Sequence, residues 1–332
     1  MVDGTPHEAR WLRSEPRRTL PTHLVGRMVQ AVFPRSHVID MQPLADGWRN
    51  ANFKLSLDST PESIVLRVYE HDASLCQKEI DLIRLIGESV PVPEVIHAEA
   101  QGLEDISPFM LMRYVEGISF RELTRSGDTN AIAQAAHSAG ETLASIGRTT
   151  FSKPGWLAPG PKVAGPLLEG ADPMPRFLDL CLASMQLRQR VKADLRDGLH
   201  ALVWSSAQQL GDLDGETCLV HGDFGKRNLL VRSVRGRWVV VAVLDWEFAI
   251  SGSPLADLGH FLRYERASRP LAEPHFSNGY LHAGGRLPQN WRRLSRLVEL
   301  TALCESLTHD QLPGTVVAEL LELVRTTVED PP

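Results

Sequence analysis

Apolar residues along this chain fall into two regimes. Up to Gly117 they come in short runs with the alternation or continuity of strands, and beyond it they recur mainly at helical spacing. Residues 38–43, 52–57 and 63–69 read as three strands, with Ser59-Thr60-Pro61 separating the last two. Before them, residues 24–33 have helical spacing and stop at Pro34. Residues 74–86 place Leu75, Ile80, Ile83 and Ile86 on one helical face closed by Gly87. Residues 92–98 and 108–114 read as two further strands. After Gly117, residues 130–146 predict an Ala-rich helix capped at Asp128-Thr129. Residues 153–175, rich in Pro and Gly, predict an exposed connection. Helices are expected over 175–190, 195–210, 257–264, 271–282, 288–307 and 315–326. The pattern predicts an α+β chain: a small antiparallel sheet with one inserted helix, then a larger, mainly helical part.

One β-rich island interrupts the helical half. Residues 217–220 form a short apolar run ending at His221, and 229–232 form a second. A turn carrying Gly236 leads into 238–244, an almost continuous β-branched run suited to a buried strand. Between these runs lies His221-Gly222-Asp223-Phe224-Gly225-Lys226-Arg227-Asn228, and after the last comes Asp245 in Leu244-Asp245-Trp246-Glu247. The hairpin returns Asn228 and Asp245 toward each other at neighbouring strand ends. Phosphoryl transfer from Mg-ATP needs such a set. One carboxylate accepts the proton of the attacking hydroxyl, while an amide oxygen and a second carboxylate hold the metal. Taken alone, an acid after an apolar strand is equally well a helix N-cap.

With His-Gly-Asp-x-x-x-x-Asn and the later Asp both present, the chain resembles the aminoglycoside phosphotransferase family, a branch of the protein-kinase-like fold, over roughly residues 44–262. The resemblance implies a bilobal α+β fold, with an N-terminal arm over 1–20, a nucleotide-binding lobe over 21–113, a hinge at 114–117 and a C-terminal lobe over 118–332. It implies Asp223 as the base, Asn228 and Asp245 as Mg2+ ligands, and Lys226 or Arg227 as a charge offset for the moving phosphoryl group, unless these two point to solvent. His221 and Asp257 are expected to brace the loop. The Asp223-Phe224-Gly225 string imitates the metal-binding triplet of protein kinases, but the position matching that triplet's Asp is Asp245.

For the donor the resemblance implies ATP, with GTP left open. Gly47, Asn50 and Asn52 lie in the turn 46–52, which is expected to cradle phosphates through backbone N–H groups. Arg67 stands where kinase-like proteins usually carry Lys, which keeps the charge but changes its geometry. Glu79 is its expected partner acid, with Asp81 and Glu88 as weaker choices and a solvated surface acid as the alternative. Backbone groups of Arg113, Tyr114 and Val115 would face the adenine edge, with Val65, Met110 and Met112 against its faces. A core strand ending in a turn fits those residues equally well. The acceptor is expected to be a small molecule bearing a hydroxyl: an aminoglycoside, or a ketosamine, amino alcohol or homoserine-like metabolite. A catalytically silent nucleotide-binding regulator is the other reading. Late-helix acids Glu265, Glu273, Glu305 and Asp310 suit a cationic acceptor, but Arg292, Arg293 and Arg296 interrupt them, and solvated helix faces explain both sets.

Composition narrows the partners. Across 332 residues the net charge is −6, without a basic footprint for nucleic acid. Apolar runs are too short to span a membrane, and the N-terminus carries charge where a signal peptide needs an apolar core. Four scattered cysteines read as buried thiols of a reducing, cytoplasmic setting. The absence of an Ala-Pro-Glu segment after Asp245 argues against a protein substrate. No feature sets an oligomeric state.

Overall fold

A computed structural model describes residues 20–44, 50–70, 72–167, 170–265 and 271–329. Gly47 and the first part of its turn lie outside the described residues, as does nearly all of the expected N-terminal arm.

The N-terminal lobe is helix α1 (Thr22–Gln30), strands β1 (Val38–Pro43), β2 (Asn50–Leu57) and β3 (Thr60–Tyr69), helix α2 (Ala73–Ile86), and strands β4 (Val95–Glu99) and β5 (Phe109–Arg113). The strands form one antiparallel sheet in the order β1-β2-β3-β5-β4. Period-two alternation decides which chemistry reaches the cleft. On β3 and β5, Ile64, Leu66, Val68, Phe109 and Leu111 pack outward with Val25, Met28 and Val29 of α1. The intervening Val65, Tyr69, Met110 and Met112 face α2 and the main core, and Arg67 shares that inner side. Helix α2 starts at Asp72, whose side chain accepts the Ser74 N–H, and it buries Lys78 and Glu79 along with its apolar face.

The C-terminal lobe begins with β6 (Ile118–Ser119) and α3 (Phe120–Ser126), where Ser119 and Glu122 form a capping box. Next come α4 (Thr129–Ile146), capped by Asp128 as expected, then β7 (Gly155–Ala158) and β8 (Lys162–Gly165). They are followed by α5 (Pro173–Ala183), α6 (Met185–Arg190), α7 (Ala193–Ser205) and α8 (Ala207–Gly211). The strands β9 (Cys218–Val220), β10 (Leu229–Val234), β11 (Arg237–Val243) and β12 (Ile250–Gly252) precede α9 (Leu255–Leu262), α10 (His275–His282), α11 (Trp291–Leu307) and α12 (Gly314–Glu329). Two small sheets, β11-β10-β6 and β8-β7-β12-β9, hold the β10–β11 hairpin and the loop before it against the helices. Among the described residues no helix is long and apolar enough to cross a membrane.

The structure corrects three expectations. Residues 153–175 are more than an exposed connection, because β7 and β8 form a hairpin paired to β12. The helix expected over 175–190 breaks at Ser184, which ends α5 and caps α6 by accepting the Leu187 N–H. The one expected over 195–210 breaks at Ser206. Strands β6 and β12 span two and three residues, too few to show a period. Helices α4 and α10 cross at two glycines. A Cβ on Gly140 would sit 2.0 Å from Phe276 O, and one on Gly279 would sit 1.9 Å from His137 O.

Candidate active site

Strand β9 delivers His221 to the bottom of the cleft, where its ring is fully buried. Its Nδ1 accepts the Asp223 N–H at 3.2 Å, so Nε2 carries the hydrogen and donates to Leu244 O at 3.0 Å. Burial pushes this imidazole down to about 4, and it is neutral at physiological pH. Gly222 follows at φ +80, with Phe248 O only 2.4 Å from where a Cβ would stand. The N–H groups of His221 and Gly222 donate to the two oxygens of Asp257, at 2.7 and 2.9 Å. Burial pushes the Asp257 carboxyl up to about 7, against the pull of those two donors. His221 and Asp257 thus tie the loop to β11 and α9.

Asp223 is gripped on both oxygens. Oδ1 lies 2.9 Å from His260 Nε2, and Oδ2 accepts from Asn228 Nδ2 at 2.8 Å. Burial alone would raise the Asp223 carboxyl, but the hydrogen bond and charge of His260, with His221 and Arg263, outweigh it and hold it below the ordinary range. Nothing in the spacing around His260 assigns it this role. It is oriented from behind, with Arg263 Nη2 at 3.0 Å and Glu299 at 3.7 Å from its Nδ1, while Arg263 is itself ion-paired with Glu299.

Asn228 Nδ2 also donates to Asp223 O at 3.0 Å, so both amide hydrogens face Asp223 and Oδ1 points the other way. Asn228 O accepts the Leu244 N–H at 2.8 Å, which sets Asp245 beside Asn228. Asp245 adopts φ +69, a left-handed conformation uncommon outside glycine. An amide oxygen and a carboxylate make an all-oxygen donor set, which fits Mg2+.

Arg67 reaches this pair from the other lobe. Its Nη2 is 2.6 Å from Asp245 Oδ1 and 3.7 Å from Glu247 Oε2, and its Nε is 3.0 Å from Glu79 Oε2. Glu79 also accepts from the Tyr69 hydroxyl and, at 3.2 Å, from the Trp246 N–H. Burial raises the Glu79 carboxyl against the pull of Arg67. Glu247 accepts from Asn50 Nδ2 at 2.6 Å, and its backbone carbonyl accepts from the buried Lys78 Nζ at 2.8 Å. Lys78 and Glu247 therefore belong to the same network, and their sequence positions had not singled them out. Asn52 pairs directly with Arg67 across β2 and β3.

Other expected residues lie elsewhere. Lys226 Nζ is buried, 3.7 Å from Glu265 and above the Phe261 ring, which ties it to a carboxylate within its own lobe. Arg227 is half-buried on the same loop. At the junction of the lobes, the Arg113 N–H donates to Glu94 O at 2.9 Å and the Tyr114 N–H to Ser63 O at 3.2 Å. Those two donors serve the sheet, which narrows the expected adenine edge to carbonyls and to Val115. The Arg113 side chain is exposed and paired with Glu62 and Glu94. Beside the catalytic loop opens a cavity of about 1050 Å³, bordered by Gly222, Glu247 and His260.

The overall architecture has counterparts among known proteins. Solved structures of similar fold include the GDP complex of wild-type aminoglycoside 2'-phosphotransferase-IIIa, at TM-score 0.66 and 17% identity, covering 94% of this chain and 99% of that one. Another is a thermostable mutant of aminoglycoside phosphotransferase APH(4)-Ia with AMP-PNP and hygromycin B, at TM-score 0.61 and 18% identity, covering 91% and 98%. These establish a kinase-like fold. Among curated proteins, acyl-CoA dehydrogenase family member 11 of Mus musculus is 37% identical over 83 residues, 25% of this chain and 10% of that protein. Its Gallus gallus counterpart is 28% identical over 182 residues, 54% of this chain and 22% of that protein. The matches therefore span a minor part of those relatives. The model of the phosphotransferase enzyme family (APH) matches residues 40–297, and the chain belongs to that family.

Proposed function

We propose that the chain transfers the terminal phosphoryl group of a purine nucleoside triphosphate, ATP or alternatively GTP, to a hydroxyl of a small molecule. The observation that carries this reading is the convergence of Asp223, Asn228, Asp245 and Arg67. One carboxylate is oriented by His260 and Asn228, and a second is held by a cation from the opposite lobe. Such an arrangement suits in-line transfer, in which positioning and charge stabilisation do most of the work.

In this mechanism Asp223 accepts the proton of the attacking hydroxyl, or orients it. Asn228 Oδ1 and Asp245 would hold Mg2+, which neutralises phosphate charge when bound. Arg67, fixed by Glu79, lies where it can pair with phosphate oxygens and keeps Asp245 in place meanwhile. Residues 21–113 would hold the nucleotide, 114–117 act as the hinge and 118–332 carry the catalytic loop and acceptor site. The cysteines stand as free thiols, three of them buried, which suits a cytoplasmic setting.

The test is acceptor-dependent ADP release by the purified protein in Mg-ATP, with Asp223→Asn beside it. The substitution should lower turnover about 10³-fold while nucleotide binding survives. Near-full turnover in Asp223→Asn would refute the role given to that carboxylate. Saturable nucleotide binding without turnover on any acceptor would favour the silent-regulator reading.

A further inference from the structure

The acceptor side of the cleft is built from parts with an unexpected polarity. The hairpin β7–β8, helices α2 and α5, the start of β2, the segment leading into β12, and helices α9 and α11 enclose the cavity of about 1050 Å³ next to Asp223. Its catalytic end is bordered by Gly222 and by His260, whose Nε2 contacts the Asp223 carboxylate. From there the wall is apolar: Trp156 and Leu157 on β7, Met174 and Phe177 on α5, then Phe248 and Ile250. Trp156 is 53% exposed although it lines the cavity, which puts a large aromatic face at its mouth. Exposed aromatics rimming a concavity mark ligand sites more than they mark folding needs.

The buried charges of the lining are already matched. Among the described residues four carboxylates border the cavity: Asp72, Glu247, Glu299 and Glu305. Glu247 is buried with Arg67 and Asn50, and Glu299 is buried with Arg263. At the rim, Asp72 accepts from Ser74 as the cap of α2, and Glu305 pairs with His309. The cavity also carries a cation of its own, Lys78, held by Glu247 O. An acceptor with several ammonium groups needs several carboxylates to compensate their desolvation. Here it would meet two buried acids already paired with arginines, two solvated acids at the rim, one lysine and a wall of aromatic and aliphatic carbon.

We infer that the acceptor is an uncharged or anionic hydroxylated molecule with an apolar body, and not a polycationic aminoglycoside. This rests on the phosphotransferase reading and adds a substrate class to it. The hydroxyl is presented at the Gly222 and His260 end. The apolar body lies along Trp156, Phe177 and Phe248, where each methylene buried should raise kcat/KM about fourfold.

The experiment uses the full chain in Mg-ATP and follows ADP release with terminal diols from butanediol to octanediol, beside kanamycin and hygromycin B. Expected is a rise in kcat/KM of about fourfold per added methylene until the cavity is filled. Trp156→Glu and Phe177→Asp should flatten that rise; the first residue is half-exposed, so its substitution tests the wall without threatening the fold. Faster turnover of kanamycin or hygromycin B than of any diol, with a flat diol series, would overturn the inference and leave the phosphotransferase reading standing. Diol turnover that survives in Asp223→Asn would instead sink the catalytic assignment. Should no compound be turned over, isothermal titration with the same diols decides. A Kd that falls with chain length in the native protein and not in Phe177→Asp supports the apolar site, and no chain-length dependence overturns it.

Discussion

Replacing Arg67 with Met would test the centre of the site most severely. The Arg67 guanidinium, with its side chain 6% exposed, is shared by Glu79, Asp245 and Glu247, of which the first and last are 3% and 4% exposed. Met replaces the aliphatic stem and removes the charge. Glu79 would keep the Tyr69 hydroxyl and the Trp246 N–H, and Glu247 would keep Asn50, but both would remain buried without their main counter-charge. Breaking a buried pair from one side costs about 3–5 kcal/mol, far above the loss of a surface pair. The cost should depend on pH in a defined sense. Burial already raises the Glu79 carboxyl above 4.5, and removing Arg67 takes away the main force pulling it back. The folded variant then holds a proton that the unfolded chain has released. Its stability is fully present below the unfolded pKa and falls as pH rises toward the folded one. Urea denaturation at pH 5 and pH 8, with the m-value checked for constancy, measures this. The expected loss is about 3–5 kcal/mol at the higher pH and clearly less at the lower. A loss below about 1 kcal/mol at both pH values would refute the shared-cation network. Arg67→Lys refines the result. One ammonium cannot reproduce a fork that spans Glu79 and Asp245, so most stability should return with less of the activity.

Three further predictions follow from single contacts. His260→Ala removes the hydrogen bond and charge that hold the Asp223 carboxyl low, so the acid limb of kcat/KM should move to higher pH and turnover should fall roughly ten- to a hundredfold. An unchanged acid limb would remove His260 from the site. The buried neutral His221, at about 4 against 6.5 unfolded, should make the protein lose stability as pH falls from 6.5 to 4, by on the order of 3 kcal/mol. His221→Gln should flatten that window in thermal melts, and an unflattened curve would assign the loss elsewhere. Gly140→Ala should destabilise by roughly 1–3 kcal/mol or more, because its Cβ would meet Phe276 O at 2.0 Å. Gly26→Ala, with open space around it inside α1, should be neutral or stabilising in the same melts, and equal losses in the two would deny the tight α4–α10 crossing.

What was legible in the chain follows from how each feature is encoded. The set Asp223, Asn228 and Asp245 could be read because two strands and a tight loop bring it together locally, so fixed spacing stands in for geometry. Arg67 and Glu79 could be read because alternation along β3 and the period of α2 each face one way. His260, Lys78 and Glu247 could not. They matter only because α9, α2 and the segment after β11 pack against one another, and packing between distant elements leaves no period. The β7–β8 hairpin was hidden for another reason. Its strands have four residues each, and its Pro and Gly content imitates a linker. Yet that hairpin places Trp156 and Leu157 against the cavity beside the catalytic loop. The residues proposed to run the chemistry sit on segments whose pattern the fold itself dictates. Those inferred to choose the acceptor sit on a short hairpin and one helix face, where the ligand, more than the core, sets the composition. A chain of this family can therefore carry its proposed reaction in its sequence, while the acceptor class inferred for it comes only from the folded wall.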